Sequence, residues 1–127
     1  MNIRATFDKK KYLQMDPLEL VETLSNDVKF TIPDNVETRD NQSLATSTIT
    51  KATAYASYFT EMEMKAKLLK RTAKANKDKE EADRLLGVEE VFKSFKEISK
   101  MQIENVAKIM TLKRLELDEM RANGRII

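Results

Sequence analysis

The stretch SLATSTITKATAYASYFTEMEMKAKLLKRTA, residues 43–73, decides the fold of this 127-residue chain. It holds neither Gly nor Pro. Within it Ala45, Thr48, Ala52, Tyr55, Phe59, Met62, Ala66, Leu69 and Ala73 recur at alternating steps of three and four. A 3.5-residue repeat is the seam of a helix packed along a partner helix. Strong helix formers fill the second half of the stretch. The β-branched Thr and Ile of the first half lower helix propensity, but packing overrides that. Several seam positions are Ala, which lets the partner approach closely.

Downstream, KANKDKEEADR at 74–84 is highly charged and reads either as a hairpin connection or as solvated helix. Gly87 is expected to break or bend the chain, and a second long helix follows to about Asn123. Val88, Val91, Phe95, Ile98, Val106, Ile109 and Leu112 lie roughly on one stripe of it. Phe95 to Val106 and Ile98 to Ile109 are eleven-residue steps, close to three straight helical turns. Gln102 falls in the stripe as a candidate buried polar residue, a device that fixes register or oligomer state. Asn123-Gly124 fits a C-terminal cap.

Upstream, Asp16-Pro17 opens a short helix, with Asp16 as cap, Pro17 at the first position and Glu19 three residues after the cap. Leu18, Val21 and Leu24 mark its face, and it ends near Asn26. Val28-Lys29-Phe30-Thr31-Ile32 alternates like a strand but has no partner strand, so it reads as an extended segment on a helical body. Residues 33–43 have loop composition. The expected architecture is all-α: residues 1–42 as a short helix, extended segment and loop, and 43–127 as a long antiparallel helical hairpin. Two lean stripes do not make a self-sufficient core, so a homo-oligomer is expected. Its interface would use the seams: Tyr55, Phe59, Met62, Leu69, Phe95, Ile98, Gln102, Val106 and Ile109.

Composition narrows the chemistry. The chain has 23 basic and 21 acidic residues, no Cys, His or Trp, and two Gly. Thiol nucleophiles, imidazole bases, zinc fingers and disulfides are therefore absent. Gly87 and Gly124 stand alone, so no glycine-rich phosphate loop exists. Carboxylate pairs such as Glu61 and Glu63 lie in charge-rich helix with no apolar pocket to raise a pKa. No stretch approaches a membrane span, and the first residues lack a signal-peptide core. A non-enzymatic protein of the cytoplasm, without metal or cofactor, is expected.

The charges are segregated. Lys65, Lys67, Lys70, Arg71, Lys74 and Lys77 occur with no acid among them, and acids cluster at 78–90. Such a helix can track a phosphate backbone while its other face packs on its own protein. It can equally be a solvated face paired with Asp78, Glu80, Glu81, Asp83, Glu89 and Glu90. Arg4, Lys9, Lys10 and Lys11 form a second basic set, either a nucleic-acid arm or a solvated terminus. Tyr58 lies off the seam and is the candidate for stacking on a base. Tyr55 and Phe59 read as core.

The layout resembles the UvsY-type recombination mediators of tailed phages. The likeness rests on Leu24 with Asp27-Val28-Lys29-Phe30, on helical Tyr55, Tyr58 and Phe59, on the basic run Lys65 to Lys77, and on Asp118-Glu119-Met120-Arg121-Ala122. The family commonly places an aromatic after that closing arginine, where this chain has Ala122-Asn123-Gly124. The resemblance implies a ring-forming helical accessory protein that binds single-stranded DNA and helps load a recombinase. The competing expectation is a protein-only assembly or adaptor role, such as a phage structural part, a scaffold or a helical inhibitor.

Overall fold

A computed structural model describes residues 11–122. A 3-10 turn at Tyr12–Gln14 precedes α1 (Pro17–Asp27), α2 (Arg39–Ala75) and α3 (Lys79–Ala122). Helices α2 and α3 run antiparallel, and no strand occurs among the described residues. The basic residues Arg4, Lys9 and Lys10 and the cap at Asn123-Gly124 lie outside the described residues.

The long helix starts earlier than the loop-like composition of 33–43 implies. Thr38 is its N-cap, accepting from the Asn41 amide at 3.0 Å. The Asn35 side chain accepts from the Glu37 amide, and Gln42 donates to the Val36 carbonyl. Thr38 thus meets one orphan donor of the first turn, and the other two bonds fix the chain just ahead of it. The threonines fit the helix by turning inward on it. Thr46, Thr50, Thr60 and Thr72 each donate to the carbonyl four residues earlier.

The hairpin turns at residues 76–78, ahead of the expected break at Gly87. The Asp78 amide bonds the Ala73 carbonyl and the Lys77 amide bonds the Lys74 carbonyl. This is a Schellman closure, with Lys77 left-handed at φ 58° where Gly is the usual occupant. Asp78 then caps α3 by accepting from the Glu81 amide at 3.2 Å.

Gly87 lies inside α3, and its role is close contact. A Cβ built there would stand 2.4 Å from Cγ of Pro17. Pro17 thus both starts α1 and seats it on α3. Asp16 takes the extended N-cap conformation, yet its side chain makes no capping bond. The buried face of α1 is Leu20 and Leu24, one helical turn apart. Leu18, expected on that face, is 81% exposed, and Val21 is also exposed.

The α2 seam packs as its spacing predicts, except that Leu69 is exposed. The α3 seam differs from the expected stripe. Leu85, Phe92, Ser99 and Val106, seven residues apart, are all buried, while Ile98 and Leu112 are exposed. A heptad runs through α3 as well, and the eleven-residue steps are a by-product of it. The buried polar residue is Ser99, whose hydroxyl donates to the Phe95 carbonyl. Gln102 is half-buried.

One aromatic cluster anchors the hairpin. Phe59 contacts Tyr55, Tyr58, Phe92 and Phe95, with ring centroids 5.7–6.1 Å apart. The segment after α1 is extended, as its alternation predicts. Val28 and Phe30 pack on this cluster, and Ile32 and Val36 pack on Ala45 and Val106. Its Thr31 carbonyl accepts from buried Thr48 at 2.6 Å. Arg84 of α3 donates to the Leu13 and Met15 carbonyls at 2.9 and 2.8 Å, tying down the N-terminal strap.

Two outcomes test this packing. Gly87→Ala destabilises the protein by about 1–3 kcal/mol, because a rigid ring blocks the methyl. In a Pro17→Ala background the same change becomes neutral or stabilising by up to ~1 kcal/mol, as helix propensity dictates. Urea titrations of the four proteins check the reversal, and a like-signed effect in both backgrounds contradicts the contact. The second outcome concerns Tyr12, which bonds Asp27 at 2.7 Å. Burial, and then that bond, push its hydroxyl far above the ordinary value of 10.0. Burial raises Tyr55 as well. Above about pH 10 the unfolded chain loses these protons and the folded chain keeps them. Stability is therefore full below about pH 10 and falls as pH rises beyond it. Tyr12→Phe should fall less steeply in that range, and an unchanged slope contradicts the assignment.

Candidate nucleic-acid interface

The basic run occupies about the last three turns of α2 and the hairpin turn. Helical spacing sets Glu63, Lys67, Lys70 and Lys74 on one flank, and the partners of the first three are on α3. Lys70 bonds Glu89 at 2.6 Å, and Lys67 approaches the other oxygen of the same carboxylate at 3.8 Å. Glu63, buried, bonds Lys96 at 2.7 Å. Lys65 lies apart from this flank, 3.6 Å from Glu61 one turn back. Arg71, Lys74 and Lys77 are exposed, and no ion pair within 4.0 Å engages them among the described residues.

The acidic segment 78–90 divides its work. Asp78 caps α3. Glu81 pairs with Arg84, which holds its carboxyl below the usual range. Glu89 takes Lys67 and Lys70. The pairing reading thus holds for part of the stripe, and Arg71, Lys74 and Lys77 remain facing solvent.

Residue spacing on α3 adds cations that the run along α2 does not reveal. Lys93 and Lys100 flank Lys96 at three and four residues and are exposed. The signal for them was present as Lys at 93, 96 and 100, one face over two turns. The flank formed by Lys67, Lys70, Arg71, Lys74, Lys93, Lys96 and Lys100 includes the acids Glu63 and Glu89, both inward and paired, and the exposed Glu90, Glu97 and Glu104 lie one helical turn from Lys93 or Lys100. Arg84 and Gly87, which hold the N-terminal segment, lie on the other side of α3. The basic flank is consequently the side of the hairpin left uncovered.

Tyr58 does not belong to this surface. It is 4% exposed, packed edge-on against Phe59 at 5.7 Å. The N-terminal strap widens the buried arc of α2 to include it, so the expected base-stacking role is corrected to core packing. The expected oligomer interface is also largely spent within one chain. Tyr55, Phe59, Met62 and Val106 are buried, and Phe95 and Ile109 pack against the clusters. Of that set only Leu69 and Ile98 are exposed, and Gln102 is half-buried.

Among the described residues no group of three acidic side chains converges as a metal site, and no described helix is long and apolar enough to cross a membrane. In comparisons with known proteins, no family model, no curated protein and no solved structure matches this chain.

The Glu89 pairing sets an expected outcome. Glu89→Gln removes the carboxylate that holds Lys67 and Lys70, at a cost of about 1–2 kcal/mol in stability. The folded variant should leave a heparin column at higher salt than the parent. Elution at the same salt contradicts a flank in which Glu89 restrains these two lysines.

Proposed function

We propose that this chain is a non-enzymatic helical accessory protein that binds single-stranded nucleic acid by its phosphates. The observation that carries the reading is the uncovered flank. There Arg71 and Lys74 face solvent without an ion-pair partner among the described residues, beside Lys67, while Lys93 and Lys100 lie farther from the turn along α3. Cations in line along two rigid helices offer phosphates a preformed track. The binding energy would come from released counterions and would fall steeply with salt. Recognition would be insensitive to base sequence, since the flank carries no exposed aromatic ring to stack on bases. Assistance in loading a recombinase, within an oligomer, rests on the likeness to UvsY-type mediators, and places the protein in a phage-infected cytoplasm.

A second reading is protein-only assembly or an adaptor role. Met64, Leu68 and Met101, all more than half exposed, favour it. In that case the flank pairs with acidic residues of another subunit.

Fluorescence anisotropy of a labelled single-stranded oligonucleotide, titrated over a range of salt, separates the two. Each phosphate contact adds about 0.7 to the slope of log affinity against log salt. Replacing Lys67, Arg71 and Lys74 together with Gln should lower that slope by about 2 and weaken binding at low salt. Absence of binding at low salt in the parent, or an unchanged slope in the variant, overturns the nucleic-acid reading. If the variant instead loses assembly in light scattering, the protein-only role stands.

A further inference from the structure

The basic flank borders a row of apolar side chains on α2. Met64 and Leu68 lie one turn apart on the side of α2 away from the seam, 61% and 55% exposed. Ala75, also exposed, continues the row. Each large apolar residue has a cation three residues on: Lys67 follows Met64, and Arg71 follows Leu68. Residues three apart are neighbours on a helix surface, so each pair sits side by side. Arg71 is exposed, and no ion pair within 4.0 Å engages it among the described residues. Lys67 keeps 51% of its side chain exposed while it approaches Glu89. The opposite border of the row holds Glu61 and Lys65, neutral as a pair. Thr72 there spends its hydroxyl on the Leu68 carbonyl. Net positive charge therefore lies along the border with Lys67, Arg71 and Lys74.

We propose that Met64 and Leu68 take the bases of a strand whose phosphates lie on Lys67 and Arg71. This rests on the phosphate-binding role proposed above, and it names unpaired nucleic acid as the substrate on chemical grounds. A nucleotide offers an anion and a flat apolar face at a fixed separation, and the strand repeats both. The apolar–cation pair offers the complement and repeats after one helical turn, about 5.4 Å along the axis. An aliphatic side chain covers the face of a base without reading its edges, so the contact tolerates any sequence. A duplex hides those faces by stacking and pairing, and leaves only groove edges and backbone to a protein. The cations alone hold phosphates of either form. The apolar row adds a contact that only an open strand can make.

Fluorescence anisotropy of the full chain at low salt tests this with labelled probes of one length: a single strand, its duplex, and a strand of abasic units. The abasic strand keeps the phosphates and lacks the bases. The parent should bind the normal strand roughly tenfold more tightly than the abasic one, the worth of two partly covered apolar side chains. Met64→Ala with Leu68→Ala removes the row and keeps helix propensity, and circular dichroism checks its fold. The variant should lose the tenfold difference and bind the abasic strand and the duplex as the parent does. Its salt slope should equal the parent's, because no phosphate contact is lost. A parent that binds none of the probes overturns the phosphate-binding role and this inference with it. A parent that holds normal and abasic strands alike overturns this inference alone, as does a variant that still tells them apart. A variant that binds the normal strand like the parent but changes mass in light scattering assigns the row to a protein partner and overturns it too.

Discussion

The closure of Phe59 between its own helix and α3 is the contact on which the rest of the molecule depends. Its ring meets Tyr55 and Tyr58 on α2 and Phe92 and Phe95 on α3. The chain is lean in large apolar residues, so these rings supply most of the buried bulk at mid-hairpin. Toward the turn the seam is Ala66, Ala73 and Ala82, small enough for the helices to close together. Register is marked by Glu63 and Lys96, a pair largely removed from water. Such a pair adds little net stability, but it disfavours any slip that would strand either charge. Tyr12, Leu20, Leu24 and Phe30 then complete the cluster from the N-terminal segment. The long helices thus come first in the hierarchy, and the strap is a lid on their shared core.

This order of dependence explains what could be read from residues alone. The α2 heptad was plain because Ala, Tyr, Phe and Met mark it over eight steps. The extended segment 28–32 was plain from its alternation. The hairpin turn was hidden, because its left-handed residue is Lys77 where a Gly would have announced it. Gly87 misled for the reverse reason. Its lack of a side chain makes room for Pro17, a contact between residues 70 apart that no local pattern records. The α3 seam was read with the wrong period because Ser99 interrupts its apolar run. Leu85 and Phe92 identify the seam only once the α2 face opposite them is known. Tyr58 and the α1 face were misjudged because both depend on where the strap lies.

The candidate site was legible as a run of cations but not as a surface. The sequence order of Lys65 to Lys77 makes them look equivalent. Three-dimensional placement separates them: Lys65 sits off the flank, Lys67 and Lys70 answer to Glu89, and Arg71 and Lys74 face solvent. Antiparallel packing sets Lys93 nearer Lys67 than Arg71 or Lys74, with Lys100 farther still from the turn. The covered side of the hairpin is held by Arg84 and Pro17, and the uncovered side carries the cations. That division of the two flanks is the structural basis of the proposed phosphate-binding role.

Helices α2 and α3 of one chain pair with each other, turning at 76–78. Ala73 and Ala82 sit in one buried cluster just inside that turn, and the chain has no cysteine of its own. Replacing both with Cys and oxidising the dilute protein gives a direct measurement by mass spectrometry under denaturing conditions. The expected product is a disulfide within a single chain at the monomer mass. Cross-linked dimers would show that the helices pair between chains instead and would contradict the hairpin.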